Sequence, residues 1–297
     1  MQGSTRSPKL RRRLIAAFAL TALLAALTVA WVVGSVLSAP VNQPVGALPE
    51  DLQGRAVEFA SESGATIRGW LVEGRAGGGA VVLMHGLRST RASMVGRARF
   101  LSRAGYTALL FDFQAHGESK GERITFGHLE SMDARAAVRF MRAAAPGERV
   151  GVFGVSMGGA AALLSTPPLD ADAFVLEMVY PTINEAITNR LTMRFGDWAG
   201  ALTPILSWQL KPRLGVSPES MRPIDRARQL GAPKLFIAGA QDRHTTLAES
   251  RQLFEAAREP KEFWPVEGAH HQDLHALVGA DYERRILDFF ERNLRSQ

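Results

Sequence analysis

The stretch Arg149-Val150-Gly151-Val152-Phe153-Gly154-Val155-Ser156-Met157-Gly158-Gly159-Ala160-Ala161-Ala162-Leu163-Leu164 changes character at its middle. Up to Val155 it is an apolar run of strand length. From Gly159 it is a small-residue, apolar run that reads as the start of a packed helix. At the corner stands Ser156, with Gly154 two residues before it and Gly158 two after. A serine so placed is a nucleophile elbow, a turn tight enough to strain the serine backbone and leave no room for neighbouring Cβ atoms. The turn aims the serine oxygen out of the sheet and points the next amide, that of Met157, at a developing oxyanion. The pentapeptide alone is unspecific. The strand and helix around it make it specific.

Outward from the elbow, strand and helix patterns alternate. Two apolar runs, 56–60 and 67–72, are separated by Ser-Glu-Ser-Gly and predict a hairpin. Strand runs follow at 80–84, 106–111, 150–155, 174–179, 234–238 and 262–266, with helical spacing near 93–103, 129–144, 247–257 and 282–294. An antiparallel start followed by repeated βα units predicts an α/β fold, a mostly parallel sheet with helices on both faces. Residues from about 181 to 225 break this rhythm. With Trp198, Trp208, Met193, Phe195 and Leu202 they read as an insertion of short helices, either a lid over the elbow or plain cover for the core.

Acyl transfer by serine requires a base, a carboxylate that orients it and amides that hold the oxyanion, with acid and base following the serine in that order. The run Leu235-Phe236-Ile237-Ala238-Gly239-Ala240-Gln241-Asp242 opens into a loop with an acid at its tip. Phe263-Trp264-Pro265-Val266-Glu267-Gly268-Ala269-His270-His271 opens into a histidine pair. Glu177, at the end of an earlier strand run, is an alternative acid, and His270 an alternative base.

On these motifs, residues 55–297 resemble an α/β-hydrolase, most of all the single-domain, membrane-associated esterase/thioesterase-like branch related to Bem46-type and serine aminopeptidase-like hydrolases. Leu83-Met84-His85-Gly86 is similar to the family's strand-end His-Gly. Asp112-Phe113-Gln114-Ala115-His116-Gly117-Glu118-Ser119 is similar to its Asp-x-Arg-Gly-His-Gly-x-Ser, except that Gln114-Ala115 stands where Arg-Gly is usual. The resemblance implies an α/β-hydrolase fold with a short helical lid. It implies Ser156 as nucleophile, His271 as base, Asp242 as orienting acid, and the Leu87 and Met157 amides as oxyanion donors. It implies neither cofactor nor metal. His270, His271, Asp273 and His275 fit no helical metal-ligand spacing, and His85 and His116 read as loop-fixing residues.

The 297 residues carry a net charge of +6, but Arg6, Lys9, Arg11, Arg12 and Arg13 precede every acid; removing those five leaves +1 for the rest. No basic stripe remains for nucleic acid. With no cysteine, disulfides and thiolate chemistry are excluded. Leu14–Leu37 holds no charge, and its twenty-four residues reach about 36 Å as a helix, enough to cross a bilayer. The basic flank predicts a single-pass anchor with a cytoplasmic tail (1–13), a transmembrane segment (14–37), a linker (38–54) and an extracytoplasmic hydrolase domain (55–297). The rival is a secreted protein after signal-peptide cleavage, against which Pro40 follows the tempting site at Ala39. The expected partners are the membrane and a small-molecule or acyl substrate, partly apolar. A peptidase of the same fold, or a non-catalytic tethered binding module on it, are the competing readings. The oligomeric state leaves no trace in the sequence.

Overall fold

The computed structural model describes residues 8–295; the start of the expected basic tail, with Arg6, lies outside the described residues. In chain order the elements are α1 (Pro8–Leu37), β1 (Val41–Asn42), β2 (Gly54–Ala60), β3 (Thr66–Val72), β4 (Ala80–Met84), α2 (Val95–Arg103), β5 (Thr107–Phe111), β6 (His116–Gly117) and α3 (His128–Ala144). They continue with β7 (Val150–Val155), α4 (Met157–Leu164), β8 (Ala173–Glu177), α5 (Ile183–Phe195), α6 (Thr203–Ser207), α7 (Leu210–Leu214), α8 (Pro223–Ala227), β9 (Lys234–Gly239), α9 (Leu247–Ala256), β10 (Lys261–Val266) and α10 (Leu274–Leu294).

The main sheet has eight strands in the order β10-β9-β8-β7-β4-β5-β3-β2. Its β2–β3 and β3–β5 pairs are antiparallel and the rest parallel. Strand β4 shows why the sheet is a middle layer. All five of its residues are buried. Ala80, Val82 and Met84 pack on one side with residues of α3 and α4, while Val81 and Leu83 pack on the other with α2 and α10. Alternation of period two thus feeds two cores. The chain crosses over around β4, which sits between β5 and β7, and ligands of such sheets gather at the carboxyl ends beside that crossover. This is the α/β-hydrolase fold.

The stretch between β8 and α8 carries the short helices α5, α6 and α7. Two boundaries differ from the sequence reading. Helical turns begin at Leu274, where Asp273 caps them, ahead of the predicted Tyr282, and non-helical Gly279, at φ 50°, divides them from the helix that runs on to Leu294. The stretch read as a linker is extended but tied down. Val41–Asn42 pairs in parallel with His116–Gly117, and Asn42 Nδ2 donates to Ser119 O at 2.9 Å. Helix α1 is the one helix, among the described residues, long and apolar enough to span a membrane. It is largely exposed except where its last turns meet the insertion.

Candidate active site

Strand β7 runs into α4 without a loop, and Ser156 takes φ 51° and ψ −113° at the corner. That conformation is disfavoured for any residue with a Cβ. The glycines permit it. A Cβ on Gly158 would stand 2.5 Å from the Met84 carbonyl oxygen, and one on Gly154 would stand 2.5 Å from the Gly159 Cα. Strand β8 holds the turn from the side, since Ser156 N–H donates to Glu177 O at 2.8 Å.

The remaining groups arrive from neighbouring strand ends. Met84 registers opposite Gly154, so the loop after β4 emerges beside the elbow. Among the described residues no acceptor takes the N–H of Leu87 or of Met157. The Met157 amide is one of the unpaired donors at the start of α4. Two buried histidines fix the Leu87 loop. His85 Nδ1 donates to Gly86 O at 2.8 Å and its Nε2 accepts from Phe113 N at 3.1 Å. His116 Nδ1 donates to Gln114 O at 2.9 Å and its Nε2 accepts from Arg88 N at 3.1 Å. Burial pushes both imidazoles below their ordinary range, that of His85 to about 3. Both stay neutral and keep one donor and one acceptor nitrogen each.

His271 stands between the acid loop and the elbow. Its Nδ1 donates to Asp242 Oδ2 at 2.6 Å and its Nε2 lies 3.2 Å from Ser156 Oγ. Asp242 is only 4% exposed, and its other oxygen accepts from His244 N at 2.7 Å and Thr245 N at 3.1 Å. With that oxygen occupied, Oδ2 is left to fix the tautomer that turns an Nε2 lone pair toward the serine. The alternatives are engaged elsewhere. His270 is exposed and meets Gln241 O at 3.0 Å. The Glu177 carboxylate accepts from Arg97 Nη2 at 2.9 Å and from the Tyr282 hydroxyl. Asp273 pairs with Arg97 at 3.1 Å and His275 with Glu283 at 2.8 Å, so the histidine-rich loop scatters its side chains to separate partners.

A cavity of about 450 Å³ opens here, lined by Leu87, Arg88, Met94, Ser156, Met178 and His271 among others. That is the size of a small-ligand pocket. Of the five non-glycine residues with positive φ among the described residues, three (Arg88, Ser156 and Met178) lie here, so backbone strain concentrates at this site. The sequence reading did not single out Arg97, which sits among Met94, Ala98 and Leu101 on the buried face of its helix. It also missed Arg190, the insertion's one contribution to the cavity lining, whose guanidinium burial pulls down in pKa. A basic residue on a helix ordinarily reads as a solvated face. His244, which burial and the neighbouring His271 pull down in pKa, packs its ring 5.0 Å from that of His271. At the departure from the usual motif, Ala115 takes φ 59° and Gln114 Nε2 donates to Glu130 at 2.9 Å and Arg123 O at 2.8 Å.

Comparison with known proteins agrees with this architecture. The profile of the family described as serine aminopeptidase, S33, matches residues 77–221. The uncharacterized protein YqkD of Bacillus subtilis is 22% identical over 246 residues, 82% of this chain and 81% of its own. The thiohydrolase aneE of Aspergillus aculeatus is 31% identical over 166 residues, 50% of this chain and 52% of its own. Among solved structures, the Pyrococcus furiosus esterase Pf2001 superposes with a TM-score of 0.72 at 22% identity, covering 87% of this chain and 98% of that one. The chain thus has the α/β-hydrolase fold, and its residues 77–221 are similar to the serine aminopeptidase, S33, family.

Proposed function

We propose that this α/β hydrolase is a membrane-anchored serine hydrolase that cleaves carboxylic esters or thioesters through an acyl-enzyme. The observation that carries the reading is the unbroken line from Ser156 Oγ through the His271 ring to Asp242, at 3.2 Å and 2.6 Å, on a strained strand-to-helix turn. In this reading His271 Nε2 takes the Ser156 proton as Oγ attacks the carbonyl carbon. The Leu87 and Met157 amides receive the oxyanion. Protonated His271, steadied by Asp242, gives its proton to the departing alcohol or thiol. Water, deprotonated by the same imidazole, then releases the acid and restores Ser156. The names of two similar proteins, an esterase and a thiohydrolase, support an ester or thioester carbonyl. Helix α1 serves as the anchor, with the domain on the extracytoplasmic side.

A fluorophosphonate probe tests the nucleophile. It labels the folded chain, and Ser156→Ala abolishes labelling while the far-ultraviolet circular dichroism is kept. A folded wild-type chain that stays unlabelled rejects the reading. The serine aminopeptidase profile favours peptide amides as a second reading. Turnover of aminoacyl nitroanilides with none of nitrophenyl esters would select it.

A further inference from the structure

The last turns of α1 are fastened to the body of the protein on two sides. Gln209 Nε2 donates to Ala30 O at 3.0 Å, Arg213 Nη1 to Ser35 Oγ at 2.6 Å, and Arg213 Nη2 to Trp31 O. The Arg213 guanidinium stacks 4.1 Å from the Trp31 ring centroid. Gly34 permits the approach, since a Cβ there would stand 2.0 Å from Gln209 Oε1. On the other side Arg88, which lines the cavity, donates from Nη1 to Val36 O at 3.3 Å. The end of α1 therefore runs between the insertion and the rim of the pocket.

Length then fixes the depth of this junction. The apolar run before Ala30, Leu14–Val29, holds sixteen residues and reaches about 24 Å as a helix. The hydrocarbon core of a bilayer is about 30 Å thick. A span built on α1 draws about one further turn, starting at Ala30, to the edge of the hydrocarbon, together with the insertion surface fastened to it. The same insertion carries Phe195, Trp198 and Trp208, which are 56%, 68% and 60% exposed. Trp208 directly precedes the anchor-binding Gln209. Aromatic side chains of this size concentrate at membrane–water interfaces. Arg194 and Lys211 are exposed on the same insertion, and among the described residues neither forms an ion pair, so both suit headgroup phosphates.

We infer that the insertion is a membrane-seated element. Phe195, Trp198 and Trp208 enter the headgroup region of the bilayer that α1 spans, and the pocket takes its ester from that surface as a bilayer-borne amphiphile. The inference rests on the proposed readings of α1 as a span and of Ser156 as nucleophile.

The test uses the full chain in vesicles of phosphatidylcholine brominated on its acyl chains. The Trp31→Phe variant keeps Trp198 and Trp208 as exposed reporters, while Trp70 and Trp264 stay buried at 3% and 8% exposure. Bromine quenches the Trp31→Phe variant, and further Trp198→Phe and Trp208→Phe changes remove most of that quenching. Equal residual quenching in both variants overturns the inference, as does a dimer in detergent that shields both tryptophans from aqueous iodide. For catalysis, Trp198→Ser with Trp208→Ser lowers turnover of a vesicle-embedded ester at least tenfold and leaves a short soluble ester within about twofold. Equal effects on the two substrates also overturn it. Release of the chain by alkaline carbonate removes the span and the inference with it. A wild-type chain that turns over neither ester rejects the catalytic reading alone, and the quenching still decides the position of the insertion.

Discussion

At the strand ends, Leu87, Ser156 and Asp242 follow strands β4, β7 and β9, of which β4 and β9 are buried along their whole length. In the insertion, α5 runs for 13 residues and α6 and α7 for five each, and Phe195, Trp198 and Trp208 stand in the open. The first region can hold a strained serine because eight strands and two cores over-determine its backbone. The second has one small core of its own, around Ile183, Leu210, Val216 and Met221, joins the main core only through residues such as Ala186 and Ile224, and is fastened to α1 through Gln209. In the proposed reading the rigid region carries the chemistry, and the insertion governs access.

Substitutions can break or sharpen this contrast. The largest effect falls on the strand ends: Ser156→Ala lowers kcat by about 10⁶-fold, measured with a short soluble ester, and a drop below tenfold would remove the elbow from the chemistry. Asp242→Asn reverses the preferred His271 tautomer and costs about 10⁴-fold in kcat. An intact rate would transfer the acid's role to another carboxylate. Glu177→Gln discriminates between structure and catalysis at one residue. It leaves buried Arg97 short of a counter-charge and destabilises the fold by about 3 kcal/mol in urea unfolding, yet the folded variant still labels with fluorophosphonate.

Acid tests the loop that carries Leu87 and Arg88. His85 titrates near 6.5 when unfolded and at about 3 when folded, so between those values the unfolded chain binds the extra proton. Stability is full above pH 6.5 and falls as pH drops, by about 2 kcal/mol at pH 5 from this group. His85→Gln, though less stable at pH 7, loses that much less on going to pH 5. Parallel pH slopes for the two chains would show that His85 is not buried neutral. The smallest effect is a gain. Ala115→Gly relieves a left-handed alanine at φ 59° and stabilises by about 1 kcal/mol, while a loss would show that the Ala115 methyl has packing to offer.

The same contrast explains what the sequence discloses. Strands such as Ala80–Met84 and Lys234–Gly239 are short apolar runs between turn signals, legible because they are buried on both faces. Ser156 and Asp242 are legible because each follows such a run, and His271 because it follows the edge strand Lys261–Val266. Residues that act across the fold leave no local pattern. Arg97 meets Tyr282 at a separation of 185 positions and Gln209 meets Ala30 at 179, and neither pairing has a spacing to read. Arg190 and the two-residue strand β1 are invisible for the same reason. The turns from Leu274 escape the reading because non-helical Gly279 separates them from the final helix.

The pairing of Val41–Asn42 with His116–Gly117 has a practical consequence for anyone trimming the chain to a soluble fragment. His116 is also the side chain that accepts from Arg88 N, beside Leu87. A fragment cut at residue 55, where the composition changes from linker to domain, discards the strap that braces this loop. Its weak activity would be mistaken for a need for lipid. A fragment starting at Ser38 keeps the brace and removes the anchor, and so separates the two causes.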